Sequence, residues 1–224
     1  SFLNFLTLFF RIMVQTDLFN EHVKTYEDWY EKYPEIYKSE VAALKEQFLA
    51  LPENIKGIEV GLGTGRFAKL LGIKEGVEPA TEMARLASKR GIEVISGTAE
   101  NLPYKDLQFD FALFVTICHL NNIQLALKEA NRVLKHKGSI IIGFIDKDKE
   151  IGQTYEKKRY ESTFFKNATF YTVAHITRLL NDAGFKNLVF SQTLFGSLDE
   201  INEVQLPKEG SGEGSFVIVR ASKK

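Results

Sequence analysis

Between residues 55 and 145 the chain alternates short apolar runs with stretches of helical periodicity, and glycine marks several of the joints. Residues 58–60 predict a strand ending in a glycine turn, and residues 66–71, with Phe67, Leu70 and Leu71 apolar, a short helix. A second strand spans 76–78, a helix over 81–90 is closed by Gly91, and 93–95 is a third strand. Residues 111–117 are almost continuously apolar, as in a strand covered on both faces. A helix over 123–134 and a strand over 139–145 follow. Ahead of this series, residues 17–50 read as helical, with Asp17 as cap and Leu44, Phe48 and Leu49 at helical spacing. Behind it the pattern changes. Residues 146–170 are polar and aromatic with little periodicity, and a helix over 172–183 ends at Gly184. Strands are expected over 186–194 and 215–221, joined by a connection that carries Gly210, Gly212 and Gly214 and no helical pattern, so the two should pair antiparallel.

Strands alternating with helices predict a mainly parallel α/β sheet with helices on both faces. Right-handed crossovers put the carboxyl ends of its strands along one edge, where ligands of such sheets bind.

Composition narrows the chemistry. Lys+Arg and Asp+Glu both number 29 in 224 residues, so the formal net charge is zero and no nucleic-acid footprint is expected. The one cysteine, Cys118, excludes an internal disulfide and a thiolate metal cluster, and the four histidines have no metal-ligand spacing, so no metal is expected. A reducing cytoplasm is the expected compartment. Residues 1–16 form an apolar extension that is too short for a bilayer span of about 20 residues and lacks a signal peptide's basic start. It reads either as foreign to the domain, with Met13 the true start, or as a membrane-surface or partner-binding helix.

The turn Glu59-Val60-Gly61-Leu62-Gly63-Thr64-Gly65 lets backbone approach a ligand closely. A dinucleotide fingerprint requires its third glycine at position 66, which is Arg66; the glycine comes one residue early. The Glu59 carboxylate sits badly beside a pyrophosphate and suits a ligand with an ammonium group. Glu78, ending the second strand, could bind ribose hydroxyls in either ligand type.

Four ordered segments resemble the class I S-adenosylmethionine-dependent methyltransferases of the ubiquinone/menaquinone-biosynthesis-like type: E-V-G-L-G-T-G at 59–65, G-V-E-P-A-T-E-M at 76–83, G-T-A-E-N-L-P-Y-K-D-L-Q-F-D at 97–110 and E-A-N-R-V-L-K-H-K-G at 129–138. The resemblance implies a Rossmann-like seven-stranded methyltransferase sheet, mostly parallel with an antiparallel last strand. It implies S-adenosyl-L-methionine as cofactor and S-adenosyl-L-homocysteine as product. Gly61, Gly63 and Gly65 would line the methionine and ribose portion, with Glu59 near the amino group. Glu78 would accept from the ribose hydroxyls, Pro79 and Met83 would flank the adenine, and the Ala99 backbone would meet an adenine nitrogen. Thr98 replaces the family's usual acid, so the adenine amino contact is weakened or passes to Glu100. Tyr26 matches loosely a tyrosine that reaches the cofactor's carboxylate.

Thr116 and the residues after it should face the methyl group. His119 is the candidate base because its ordinary pKa lies near neutrality; the competing reading packs it in the pocket wall. Cys118 reads as a small buried hydrophobe. The V-T-I-C-H-L stretch lacks the Asn/Asp-Pro-Pro-Tyr/Phe motif of nucleic-acid amino-methylating enzymes. The expected organisation is one methyltransferase domain over 17–224: a helical lid at 17–50, a cofactor-binding core at 55–145 and a substrate-side insertion at 146–171. Arg159 and Lys166 could bind an acidic acceptor, against the plainer reading as solvated charges. The acceptor should be a small molecule and the protein a monomer or weak homodimer. Two rivals stay open, a nicotinamide-dependent oxidoreductase and a non-catalytic S-adenosylmethionine-binding module.

Overall fold

The computed structural model describes residues 16–224. The apolar segment that the sequence singled out, apart from Thr16, lies outside the described residues. Residues 16–21 are helical and lead into α1 (Val23–Lys32) and α2 (Pro34–Leu49). The core then runs β1 (Gly57–Val60), α3 (Arg66–Leu71), β2 (Glu75–Val77), α4 (Thr81–Lys89), β3 (Glu93–Ile95), β4 (Phe109–Val115), a 3-10 turn (Ile117–His119), α5 (Ile123–Val133) and β5 (Leu134–Ile145). After it come α6 (Glu150–Lys157), α7 (Val173–Asp182), β6 (Phe185–Thr193), β7 (Lys208–Glu209) and β8 (Phe216–Lys223).

The strands form one sheet in the order β3-β2-β1-β4-β5-β8-β6-β7. The first five pair parallel, while β8 runs antiparallel to both β5 and β6. The sheet therefore has eight strands where seven were expected. The additional one, Lys208–Glu209, pairs with the edge strand through two residues, too short for any periodicity to announce it. Strand order reverses between β1 and β4, and this is the switch point that positions the site.

Alternation along β4 separates two cores. Ala112 and Phe114 pack with Ile58, Ile140 and the inner faces of α5 and α7. Phe111 and Leu113 pack with Ile141, Ile218 and residues of α2 and α3. Each such side chain stabilises the fold by about 1.5–3 kcal/mol. Asn122 caps α5 by accepting from the Leu125 amide, and Thr172 caps α7 by accepting from the His175 amide. Within the aromatic segment after β5 the structure has a helix, α6, that the sequence pattern did not predict. Its apolar contacts come from Ile151 and Tyr155, one turn apart, and the remaining turns carry polar side chains.

Candidate active site

A cavity of about 390 Å³ lies at the carboxyl ends of β1, β2 and β4, within the size range of small-molecule sites. Of the residues singled out in the sequence, Tyr26, Gly61, Gly63, Glu78, Pro79, Met83, Thr98, Ala99, Glu100, Thr116 and His119 all line it. Glu59 and Gly65 do not. Gly65 turns into α3 at φ +76°, and a Cβ there would lie 2.5 Å from the Ile92 Cδ1 atom, so its bare backbone serves close packing of the turn against its neighbours. Glu59 is 1 % exposed beneath the turn, and its Oε2 has no hydrogen-bond partner. Burial pushes its carboxyl up to about 8, against the opposing pull of the Ala68 amide.

Glu78 follows β2 and holds the glycine turn in place. Its Oε2 accepts from the Gly63 amide at 2.8 Å and its Oε1 from the Ala80 amide at 2.9 Å. Burial raises its pKa, and these two bonds oppose the rise. Above the turn, the Tyr26 hydroxyl accepts from the Tyr30 hydroxyl at 2.9 Å. It would stand only 3.1 Å from a Cβ placed on Gly63, so the glycine makes room for the lid. Glu100 has a scaffolding task, since its Oε1 accepts from the amides of Asn121 and Asn122 and anchors the chain after β4.

At the end of β4, Thr116 adopts φ +63°, a left-handed conformation that costs a branched residue on the order of 1–3 kcal/mol. The Thr116 amide donates to Gly143 at 2.9 Å, and the bend turns the 3-10 turn across the cavity mouth. His119 lies edge-on to Phe19, with ring centroids 5.0 Å apart, and is stacked on Phe165 at 6.1 Å. Burial depresses its pKa to about 4, so the imidazole is neutral at ordinary pH. Cys118 is buried and its thiol pushed up to about 12, so it is no thiolate nucleophile near neutrality. Arg159 does not line the cavity; it pairs with Glu156 and donates to the Ala168 carbonyl.

The lid is tied down by side chains that the sequence pattern did not reveal. Glu27 on α1 accepts from the Thr64 hydroxyl, takes two hydrogen bonds from Arg66 and pairs with Arg90 at 2.6 Å. Asn20 accepts from the Glu82 amide, supplying a cap that α4 lacks locally. Phe19 stacks on Phe164 at 5.4 Å and joins the lid to the segment after β5. Burial disfavours the charge on Glu27, but the bonds from Arg66, Thr64 and Arg90 outweigh it and hold the carboxyl near 2, below its usual 4.5. A depressed pKa stabilises the folded form above the ordinary carboxylate range, and that contribution is lost as pH falls through the lower value. Acid titration of thermal stability should therefore show a loss between about pH 4.5 and 2 that Glu27→Gln lacks. The same acid limb persisting in Glu27→Gln would remove Glu27 as the group that fastens α1 to the glycine turn.

Among the described residues no group of three or more His, Cys, Asp and Glu side chains could hold a metal, and no helix is long and apolar enough to cross a membrane. The strand order, the glycine turn and an acid just after β2 define a Rossmann-like sheet with a cavity at its switch point. Residues 58–142 match the Methyltransferase domain family. A crystal structure from Thermotoga maritima, of a protein named as a SAM-dependent methyltransferase and possible histamine N-methyltransferase, superposes with a TM-score of 0.89 at 45 % identity, covering 94 % of this chain and 100 % of that one. An uncharacterised protein of Methanocaldococcus jannaschii is 43 % identical over 92 % of this chain and 99 % of its own length. The ubiquinone/menaquinone biosynthesis C-methyltransferase of Rickettsia felis is 32 % identical over 60 % of this chain and 55 % of its own length. This chain belongs to the S-adenosylmethionine-dependent methyltransferases and is an enzyme of that family.

Proposed function

We propose that this enzyme transfers the methyl group of S-adenosylmethionine to a small organic acceptor held between the end of β4 and the aromatic segment after β5. The observation that carries this reading is the shared lining of one cavity. The glycine turn and Glu78 line it together with His119, Cys118, Tyr155 and Phe165. The residues present fit the cofactor. Glu78 is a buried carboxylate placed to accept from a ribose diol, Pro79 and Met83 offer apolar contact for adenine, and the Ala99 backbone offers its edge. Gly61, Gly63 and the Tyr26 hydroxyl would hold the methionine end. The unpartnered, buried oxygen of Glu59 lies behind them. When bound, S-adenosylmethionine supplies a methyl group already activated on a sulfonium. What the chain adds is placement and exclusion of water by the lid. The neutral His119 has a lone pair that can accept a proton or hydrogen bond from the acceptor's nucleophile. The possible histamine N-methyltransferase reading of the T. maritima protein points the same way, towards a small organic acceptor.

Calorimetry should show micromolar binding of S-adenosylhomocysteine and none of nicotinamide dinucleotides. Label from methyl-tritiated S-adenosylmethionine should move to a small-molecule acceptor and not to RNA or DNA. Dinucleotide binding alone, or cofactor binding without any turnover, sinks the proposal. His119→Ala should lower kcat at least tenfold while leaving cofactor affinity within a factor of two. Because the His119 imidazole gains its proton only near pH 4, the wild-type kcat should stay flat from neutrality downward and drop only as that value is approached.

A further inference from the structure

Among the described residues, three acidic side chains line the cavity, those of Glu40, Glu78 and Glu100, and no lysine or arginine does. Glu78 and Glu100 are engaged by backbone amides. Glu40 is different. It sits on α2 in line with Ile36, Ala43 and Leu44, at a position where helical spacing calls for a core hydrophobe. It is 7 % exposed, and among the described residues no hydrogen bond or ion pair holds it. A buried carboxylate without a partner destabilises a fold, and a leucine would fill the same place at no such cost. Tyr30 and Tyr155, which line the same cavity, lie near it.

We propose that Glu40 anchors a subsite for an organic cation, so that the methyl acceptor is a small molecule carrying an ammonium or equivalent positive charge. The inference rests on the reading of this cavity as a methyl-transfer site. An anionic acceptor would meet three acidic side chains and, among the described residues, no lysine or arginine in the wall. A neutral acceptor could hydrogen-bond to Glu40 but would gain nothing from its charge. A cation satisfies it, and aromatic side chains around a desolvated positive charge add attraction of their own. Tyr155 lies near both Glu40 and Cys118, so its side chain links the Glu40 wall of the cavity to the 3-10 turn that bears His119. A protonated amine has no free electron pair. The atom that is methylated is therefore a separate nucleophile of the same molecule, placed towards His119 while the charge stays at Glu40.

The protonation state of Glu40 supplies a readout. Burial pushes its carboxyl up to about 8. The titratable groups that face it are the phenols of Tyr30 on α1, Tyr37 on α2 and Tyr155 on α6, all raised by burial and all neutral at pH 7. Seating a cation at pH 7 should thus expel about one proton from Glu40.

The test is calorimetry on the full chain saturated with S-adenosylhomocysteine, using phenethylamine, tyramine and tryptamine against the matching alcohols. At least one ammonium ion should bind tenfold or more tightly than its alcohol and release about one proton when buffers of different ionisation enthalpy are compared. Glu40→Gln should abolish the preference and the proton release, leaving alcohol affinity and S-adenosylhomocysteine affinity within a factor of two. Glu40→Leu should raise the melting temperature of the ligand-free protein by about 3 °C. Equal binding of amines and alcohols, a preference that survives Glu40→Gln, or a lower melting temperature for Glu40→Leu overturns the inference. If wild type fails to bind S-adenosylhomocysteine, the methyl-transfer reading itself falls, and the two failures are told apart.

Discussion

Glu78→Ala should weaken S-adenosylhomocysteine binding by roughly 100-fold. Hydrogen bonds to a charged acceptor contribute about 1.5–3 kcal/mol each, so losing two ribose hydroxyl partners amounts to about 3 kcal/mol or more, and 1.4 kcal/mol is a factor of ten in Kd. The substitution also orphans the Gly63 and Ala80 amides that the carboxylate now receives, so some stability will be lost with the affinity. Glu78→Gln separates the two effects. Its amide oxygen can still accept one bond, and its expected loss is about tenfold. Calorimetry on both variants, with melting temperatures alongside, checks this. A loss below threefold for Glu78→Ala would remove Glu78 from the ribose.

Gly65→Ala should behave in the opposite way, destabilising the protein while sparing its affinity. A side chain at φ +76° costs about 1–2 kcal/mol. The new methyl group would also overlap the Ile92 side chain at 2.5 Å and stand 3.0 Å from the Ala87 Cβ, an overpacking of about 1–3 kcal/mol. Together these amount to roughly 2–5 kcal/mol, or about 5–15 °C in melting temperature for a chain of this size. Below its melting temperature the variant should bind S-adenosylhomocysteine within threefold of wild type, because Gly65 does not line the cavity. Normal stability with collapsed affinity would put this glycine back against the ligand.

The different fates of Glu59, Gly65 and Glu78 show how far a linear motif reaches. All three stand in or beside the glycine-turn signature, and from sequence all three were assigned to the ligand. A strand-turn-helix can present only part of its residues to one side, and which part depends on how the following helix packs. Here α3 turns Gly65 towards Ile92 and Ala87, and the Glu59 carboxyl stays beneath the turn. The acid after β2 emerges at the sheet edge and lines the cavity. Similarly, Glu100 stood in the right motif to meet adenine, yet its Oε1 is taken by the Asn121 and Asn122 amides, residues some twenty positions on.

The N-terminal segment was legible as helical and aromatic, but its fastenings were not. Glu27 reads as one of many charges on an amphipathic helix until Thr64, Arg66 and Arg90 are brought to it. Glu40 did leave a trace, as a lone carboxylate in an otherwise apolar stripe with Ile36, Ala43 and Leu44. That trace acquires meaning only when Ile36 and Glu40 are found to line the cavity.

The chain's own periodicities determined the parallel core, because strands such as β4 and helices such as α5 advertise their burial within a single element. They also determined the edge that bears the cavity, since crossover handedness places the parallel strand ends together. Only tertiary structure decided the eighth strand, the lid's ion pairs and the unpartnered carboxylate of Glu40. Those features depend on contacts between residues far apart in the chain, whose meeting is set by packing of whole elements and leaves no local pattern to read.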